Sequence, residues 1–219
     1  MRSKNGSGKI EYSNGEMYEG EFVDGKAHGN AKYKYANGDL YKGEWVDDQP
    51  HGRGKMAYYN GVEYDGEWRK GKRHGNGTDT WPSGLKYEGE FMDGHRHGRG
   101  KMAFSNGEEY DGEWRNGKKH GNGTETCADR KQKYQGEFMD NMRHGKGTSK
   151  YTNGEKYEGE WKNNKKHGRG TMNYASGVIY VGGFDKGKAH GRGEIKRING
   201  EVYIGESENG RAYSNPRHE

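Results

Sequence analysis

The sequence predicts an all-β chain, an elongated single-layer antiparallel β-meander solenoid built from 23-residue β-hairpin repeats. Three observations carry that expectation. A Tyr-x-Gly-Glu-aromatic motif returns at fixed spacing, aromatic or glycine residues alternate with charged ones inside it, and turn-forming pairs punctuate the alternating stretches. With three prolines and no ten-residue stretch of helical periodicity, a helical solenoid is excluded.

The repeat reads YEGEF (18–22), YKGEW (41–45), YDGEW (64–68), YEGEF (87–91), YDGEW (110–114), YQGEF (134–138) and YEGEW (157–161), then the weaker YVGGF (180–184) and YIGES (203–207). The step is 23 residues throughout, except for 24 between Tyr110 and Tyr134. Within one motif the period of two puts Tyr64, Gly66 and Trp68 on one strand face and Asp65 and Glu67 on the other. The pairs Tyr33 and Tyr35, Met56 and Tyr58, Met102 and Phe104, and Met172 and Tyr174 show the same alternation further on, so each repeat supplies two short strands.

Between the strands stand Asn60-Gly61, Asn106-Gly107, Asn153-Gly154 and Asn199-Gly200, and Asn-Gly is the pair a type I′ hairpin prefers. A Gly-Lys-x-His-Gly stretch forms the second reversal. Two strands per repeat at ~4.8 Å each advance the ribbon ~10 Å per repeat, so nine repeats would span on the order of 85 Å, each touching chiefly its neighbours.

Ten residues after each of eight tyrosines comes a histidine followed by glycine, at His28, His51, His74, His97, His120, His144, His167 and His190. Such a recurrent pair belongs to the geometry of the repeat, with the histidine expected to hydrogen-bond across the turn. Zinc needs its ligands ~2.0–2.1 Å from one ion, whereas histidines one repeat apart stand ~10 Å apart, so no metal site follows. Gly98-Arg99-Gly100-Lys101 has neither the spacing nor the helix of a phosphate loop.

Composition bounds the rest. Hydrophobic residues make up 26% of 219, and Leu, Ile, Val and Phe together fewer than one in ten, below the ~20% at which charged chains are usually disordered. Here 17 tyrosines and 5 tryptophans supply the apolar surface instead, each ring burying roughly 150–250 Å² when packed. The one cysteine, Cys127, allows no internal disulfide and suits a reducing compartment. No apolar leader or 20-residue apolar run is present, so the expected location is the cytoplasm. Asn5-Gly6-Ser7, Asn76-Gly77-Thr78 and Asn122-Gly123-Thr124 are then silent sequons.

The consensus Y-E-G-E-W-x-N-G-K-x-H-G-x-G, with an Asn-Gly turn before the next tyrosine, resembles the MORN (membrane occupation and recognition nexus) repeat, in about nine copies from Asn5 to Ser207. The resemblance implies an elongated β-ribbon that acts as a scaffold or adaptor for cytoskeletal, ciliary or membrane-apposed assemblies, often dimeric and holding a partner segment. No residues remain for an appended catalytic domain, the glutamates lack the apolar pocket that acid catalysis needs, and no catalytic, metal or cofactor site is expected. Nucleic acid is not an expected partner, since the aromatics are needed as cement.

Two candidate surfaces follow. A single layer leaves part of its aromatic face open as a groove for a protein partner, with Tyr41, Trp45, Tyr64, Trp68, Tyr110, Trp114, Tyr157 and Trp161 as its anchors. The turns before His-Gly are basic, and Lys72, Arg73, Lys118, Lys119, Lys165 and Lys166 form the alternative site, for anionic phospholipid. Because acids are interspersed and the net charge is +5, a solvated edge is favoured over that alternative.

Residues 55–100 and 101–147 repeat each other nearly letter for letter, a duplicated pair of repeats that offers multivalent binding. In the second copy Ala128-Asp129-Arg130-Lys131 replaces Pro82-Ser83-Gly84, so a bulge or bend is expected at 127–133. The ribbon is assigned to 1–207, and 208–219, where the pattern lapses, to a terminal cap or tail. At the other end Asn5-Gly6-Ser7-Gly8 enters in the His-Gly-x-Gly register as an edge strand open to a second chain, hence to a homodimer.

Overall fold

In the computed structural model the described residues are 5–129 and 132–213. They form strands, turns and loops with no helix. Contacts divide the chain into two units, one of residues up to Ser105 with Trp114–Gly117, the other of Asn106–Glu113 with everything from Lys118 onward.

The first unit holds β1 (Asn5–Glu11), β2 (Met17–Val23), β3 (Lys26–Lys34), β4 (Leu40–Val46), β5 (Gln49–Ala57), β6 (Glu63–Arg69), β7 (Lys72–Thr80), β8 (Lys86–Met92) and β9 (His95–Ala103). Strand β10 (Glu109–Arg115) is shared between the units. The second unit continues with β11 (Lys118–Thr126), β12 (Lys133–Met139), β13 (Met142–Lys150), β14 (Lys156–Lys162), β15 (Lys165–Asn173), β16 (Ile179–Asp185), β17 (Lys188–Lys196), β18 (Val202–Glu208) and β19 (Arg211–Tyr213). Within each unit every strand pairs antiparallel with its sequence neighbours, a single-layer meander whose seven- and nine-residue strands alternate.

The two reversals differ from the expectation in one respect. The seven-to-nine-residue hairpins close through two-residue turns with both φ positive, Asp47 at 49° and Asp48 at 64°, or Lys70 at 49° and Gly71 at 74°, and these are the type I′ turns. The Asn-Gly pairs sit in longer connections instead. The amide of Tyr58 donates to the Val62 carbonyl at 2.8 Å and that of Gly61 to Tyr58 at 2.9 Å, and of the pair only Gly61 has positive φ. This is a three-residue loop ending in a left-handed glycine. Asn60 earns its place by its side chain, whose Oδ1 accepts the Val62 amide at 3.1 Å, the local bond Asn favours in turns.

The irregular connection after β11 absorbs its extra residue in this loop. The amide of Cys127 reaches the carbonyl of Gln132, five residues on, where the other loops span four. Arg130 and Lys131 of that segment lie outside the described residues, as do 214–219 of the expected tail.

The core is one face of aromatic rings. Tyr41, Tyr64, Tyr87, Tyr110, Tyr134 and Tyr157 are fully buried. Tyr64 meets Trp68 of its own strand at 5.2 Å and Phe91 of the next repeat at 5.0 Å, nearly perpendicular in both cases, and Tyr134 meets Phe138 and Trp161 likewise. Edge-to-face pairs contribute ~0.5–1.5 kcal/mol each beyond their buried area, so rings tie each repeat to the next as far as Tyr157 with Phe184, after which Ser207 takes the place of the ring.

Glycine makes the close approach feasible. Gly66 pairs with Gly77 across the strands, and a Cβ on either would run into the Tyr64 phenol. The ring therefore lies flat over the glycine pair, and its hydroxyl donates to the Glu67 carbonyl at 2.8 Å.

Candidate functional site

The His-Gly-x-Gly segment is a bulge built around a glutamate. Between Gly66 and Glu67 the partner strand jumps from Gly77 to His74, leaving Gly75 and Asn76 as two extra residues. Gly75 has φ +55°, and the Asn76 amide donates to Glu67 Oε1 at 2.9 Å. The same bond joins Arg53 to Glu44, Arg99 to Glu90, Asn122 to Glu113, Lys146 to Glu137 and Arg169 to Glu160 at 2.7–2.9 Å. The recurrent bond across the bulge is made by glutamate; the buried Nδ1 atoms of His74, His97, His120 and His144 meet no hydrogen-bonding partner, while His74 reaches across the turn through Nε2, 3.4 Å from Arg69 Nη1, as expected of histidine. In the eighth repeat Gly183 stands where the glutamate would be, and the space beside Gly191 is open.

The eight aromatic anchors expected at a protein-binding groove are core residues. Tyr41, Tyr64, Tyr110 and Tyr157 are 0% exposed, and Trp45, Trp68, Trp114 and Trp161 5–6%. In five of the eight repeats the residue before the histidine folds a cation over the rings, while Pro50 and the alanines Ala27 and Ala189 hold that place in the others. Arg73 lies over Tyr64 and Phe91, Arg96 over Tyr87 and Trp114, Lys119 over Tyr110, Arg143 over Tyr134 and Lys166 over Tyr157, at 4.8–5.6 Å. Such contacts stabilise more as water is excluded.

The basic edge is correspondingly halved. Lys72, Lys118 and Lys165 are exposed, whereas Arg73, Lys119 and Lys166 turn inward, as the strand period of two requires. Arg73 forks onto Asp79 at 2.8 and 2.9 Å. Glu125 takes Lys119 at 2.5 Å and Arg143 at 2.7 Å. Burial pushes the Asp79 carboxyl up despite Arg73. At Glu125 burial pulls the same way, yet the bonds and charges of Lys119 and Arg143 hold the carboxyl below its ordinary value. Lys166 has Met172 Sδ at 3.7 Å, and burial lowers its ammonium pKa.

The opposite face carries the open surface. In the first unit a groove of 730 Å³ runs over the backbone of Gly66, Gly77 and Gly89, with Arg53 and Lys55 on one wall and Asp65 and Glu88 beyond. A second, of 640 Å³, repeats the arrangement over Gly8, Gly20 and Gly43. In the second unit a 610 Å³ groove crosses Gly159, Gly170, Gly182 and Gly193, and its wall includes the exposed apolar side chains Val181 and Ile204. Each groove offers a backbone floor and a wall of mixed charge, with a hydrophobic patch only in the last.

Among the described residues no group of three or more His, Cys, Asp or Glu is placed to hold a metal ion. Burial raises the Cys127 thiol pKa, with Glu108 and Glu125 adding to it, the reverse of what a nucleophilic thiolate needs. Among the described residues no helix is long and apolar enough to cross a membrane.

Sequence reasoning missed the structural use of the motif glutamates and the acids Asp79 and Glu125. The available signals were the recurrence of glutamate in seven successive motifs and the presence of an acid at one place in both copies of the duplicated pair.

Comparison with known proteins agrees with this geometry. The family model described as MORN repeat matches residues 18–40, 41–63, 64–86, 87–109, 110–131, 134–156, 157–179 and 180–202. Among solved structures the chain is similar to the wild-type TCP10 domain of Danio rerio CPAP, at 15% identity and TM-score 0.50, covering 96% of this chain and 100% of that one. A point mutant of the same domain matches with the same identity and TM-score, over 96% and 99%. The TCP domain of Drosophila melanogaster SAS-4, in complex with a proline-rich motif of Ana2, gives 13% identity, 92% and 90% coverage and a TM-score of 0.36. At these identities the first two likenesses speak to the fold alone. No curated protein matches the chain.

Proposed function

The chain belongs to the MORN repeat family, and on that footing we propose that it is a non-enzymatic scaffold that holds partner polypeptides in the glycine-floored grooves opposite its aromatic core. The observation that carries this reading is the recurrence of one groove, over equivalent glycines, in both units. A backbone floor accepts an extended segment of any side-chain order, and charged walls with an apolar end set its direction.

Catalysis has little in its favour. In the first groove Lys55 and Glu63 hold each other at 2.8 Å. In this reading the assemblies served are cytoskeletal, ciliary or membrane-apposed, the theme that the MORN resemblance implies.

The test is site-specific photocrosslinking in cells, with a photoreactive amino acid at Thr80 or Val181 in the grooves, compared with Tyr59 on a loop. Discrete adducts from the groove positions, absent from Tyr59, support the reading. Adducts from Tyr59 alone would sink it. Anionic phospholipid is the second partner class and rests on the three exposed lysines. Flotation with phosphoinositide liposomes, lost when Lys72, Lys118 and Lys165 are changed to Glu, would move it ahead.

A further inference from the structure

Seven junctions between repeats close by one device. A seven-residue strand offers its motif glutamate, the next nine-residue strand offers a left-handed glycine and the amide after it, and the two meet as Glu67 meets Asn76. The series runs from Glu21 with Asn30 to Glu160 with Arg169. An eighth junction, β16 with β17, has Gly183 in place of the glutamate, but its strands are already paired. Beyond these, each half of the device stands once at an open edge.

The glutamate half is on β18, where the motif reads Tyr203-Ile204-Gly205-Glu206. Glu206 is exposed, and among the described residues no amide reaches its carboxylate. β17 pairs with β18 along its length, whereas β19 covers only Glu206–Glu208. Val202–Gly205 therefore have a neighbour on one side alone among the described residues, and Val202 and Ile204 are 50% and 54% exposed. Register sets Tyr213 opposite Glu206 as His74 is set opposite Glu67. The chain's own continuation thus carries Ser214 and Pro216 at the places of Gly75 and Gly77, and offers no glycine for the device.

The glycine half is on β1. Its register on β2, Gly6 opposite Phe22 and Gly8 opposite Gly20, is that of β3 on β4, Gly29 opposite Trp45 and Ala31 opposite Gly43. Gly6 and Ser7 thus hold the places of Gly29 and Asn30. Gly6 has a positive φ of 107°, and nothing lies within 4 Å of where a Cβ would stand, a place that the Glu21 carboxylate fills at Gly29. Among the described residues β1 pairs with β2 alone.

We propose that β1 of a second copy of this chain completes the open edge of β18, antiparallel and in the register of the repeat. Gly8–Glu11 would stand opposite Gly205 back to Val202, as Gly77–Thr80 stand opposite Gly66 back to Glu63, and the Ser7 amide would donate to Glu206. No ring has to enter a socket, since Phe22 already lies over Gly8 at 3.5 Å and Tyr203 donates to Glu201 at 2.9 Å; backbone and carboxylate make the contact. Two different surfaces meet, so assembly does not stop at two copies unless a ring closes. Four ladder pairs form a small interface of the transient class. The contact does not depend on a partner in the grooves.

The experiment is sedimentation velocity of the full chain up to millimolar concentration, where association should grow past the dimer. Two proline variants separate the edges. The Asn30 amide faces the preceding strand, and two residues on that of Lys32 does the same. Lys9 holds the place of Lys32, and Ile204 that of its partner Glu19, so Lys9→Pro and Ile204→Pro each remove an outward amide. Each variant alone should be monomeric with its circular dichroism unchanged, and their equimolar mixture should give a complex of two chains and no more. Glu206→Ala, which breaks no bond within the chain, should weaken association on the order of tenfold, and it keeps the test decisive if a proline variant unfolds. Association that persists in Lys9→Pro alone would assign the contact to two β18 edges, and persistence in Ile204→Pro alone to two β1 edges. Either result overturns the proposal, as would a wild-type chain that stays monomeric or an undiminished association in Glu206→Ala.

Discussion

Glu67 and Asn76, nine residues apart, are joined by a 2.9 Å bond from the Asn76 amide to the glutamate carboxylate, and the intervening Gly75 has a left-handed φ of +55°. This one bond explains why Tyr-x-Gly-Glu and His-Gly-x-Gly occur together. A Cβ on Gly75 would strike the same carboxylate, so the two residues are coupled sterically as well as through the bulge.

Their coupling is measurable. Glu67→Ala should cost ~1–2 kcal/mol through the unanswered amide, and Gly75→Ala at least as much through the left-handed backbone alone. The double variant should cost less than the sum, because the carboxylate that the new methyl group meets is gone. Urea unfolding of the three variants gives the cycle, and strict additivity would show that the contact is not made in solution.

Lys70 occupies a left-handed turn position, φ 49°, that Asp or Asn fills in most of the other repeats. Lysine gains nothing there, whereas asparagine tolerates that region. Lys70→Asn should therefore stabilise the chain by ~0.5–1 kcal/mol, read as a higher urea midpoint with an unchanged slope. A fall in the midpoint would refute the strain argument.

Lys166 is lodged among Tyr151, Tyr157 and Phe184 beside Met172. Burial lowers its folded pKa below the ordinary 10.5, so its contribution to stability is greatest above that value and is lost as pH falls through the folded pKa. At neutral pH the charge is a cost that Lys166→Met removes. The variant should be more stable at pH 7 by ~1 kcal/mol, and the gap should narrow as pH rises toward 10. A gap independent of pH would assign the gain to packing alone.

The buried tyrosines set an alkaline limit. Burial raises the phenol pKa of Tyr41, Tyr64, Tyr87, Tyr110, Tyr134 and Tyr157, and brings Tyr18 to about 12. A raised folded pKa means that stability is whole below the ordinary value near 10 and is lost as pH climbs through the folded one. Tyrosinate absorbance and loss of circular dichroism should therefore rise together in one cooperative step. Ionisation of the ladder well before unfolding would contradict its burial.

Much of this was legible in the chain. Tyr64, Gly66 and Trp68 on one face follow from a period of two, and the register of repeats follows from the return of the motif, because both are local properties repeated many times. What the pattern could not give is what lies on top of a face. Period two says that Trp68 shares a side with Tyr64, but not that Arg73, at the start of the next strand, folds over Tyr64 and turns an open platform into a core. Nor could it separate the two hairpins. Asn60-Gly61 has the composition of a two-residue turn, and only the length of its loop, fixed by which residues pair, assigns it a three-residue one. The sequence shows that the motif glutamates lack an apolar pocket, while their bonds to backbone amides depend on a bulge that no side-chain pattern reports.

In the regular repeats the tyrosine ring packs against its own strand and against the next repeat, as Tyr64 does with Trp68 and Phe91. A gene encoding such a chain can gain or lose material only in whole periods, since any other cut would leave one ring facing a residue of the wrong kind. The single odd residue near Cys127 is tolerated because it falls in a loop, between Thr126 and Lys133, where no ring must find a partner. Length in this protein is thus a counted quantity, and the near-copies at 55–100 and 101–147 have the form that duplication of a whole repeat pair would leave.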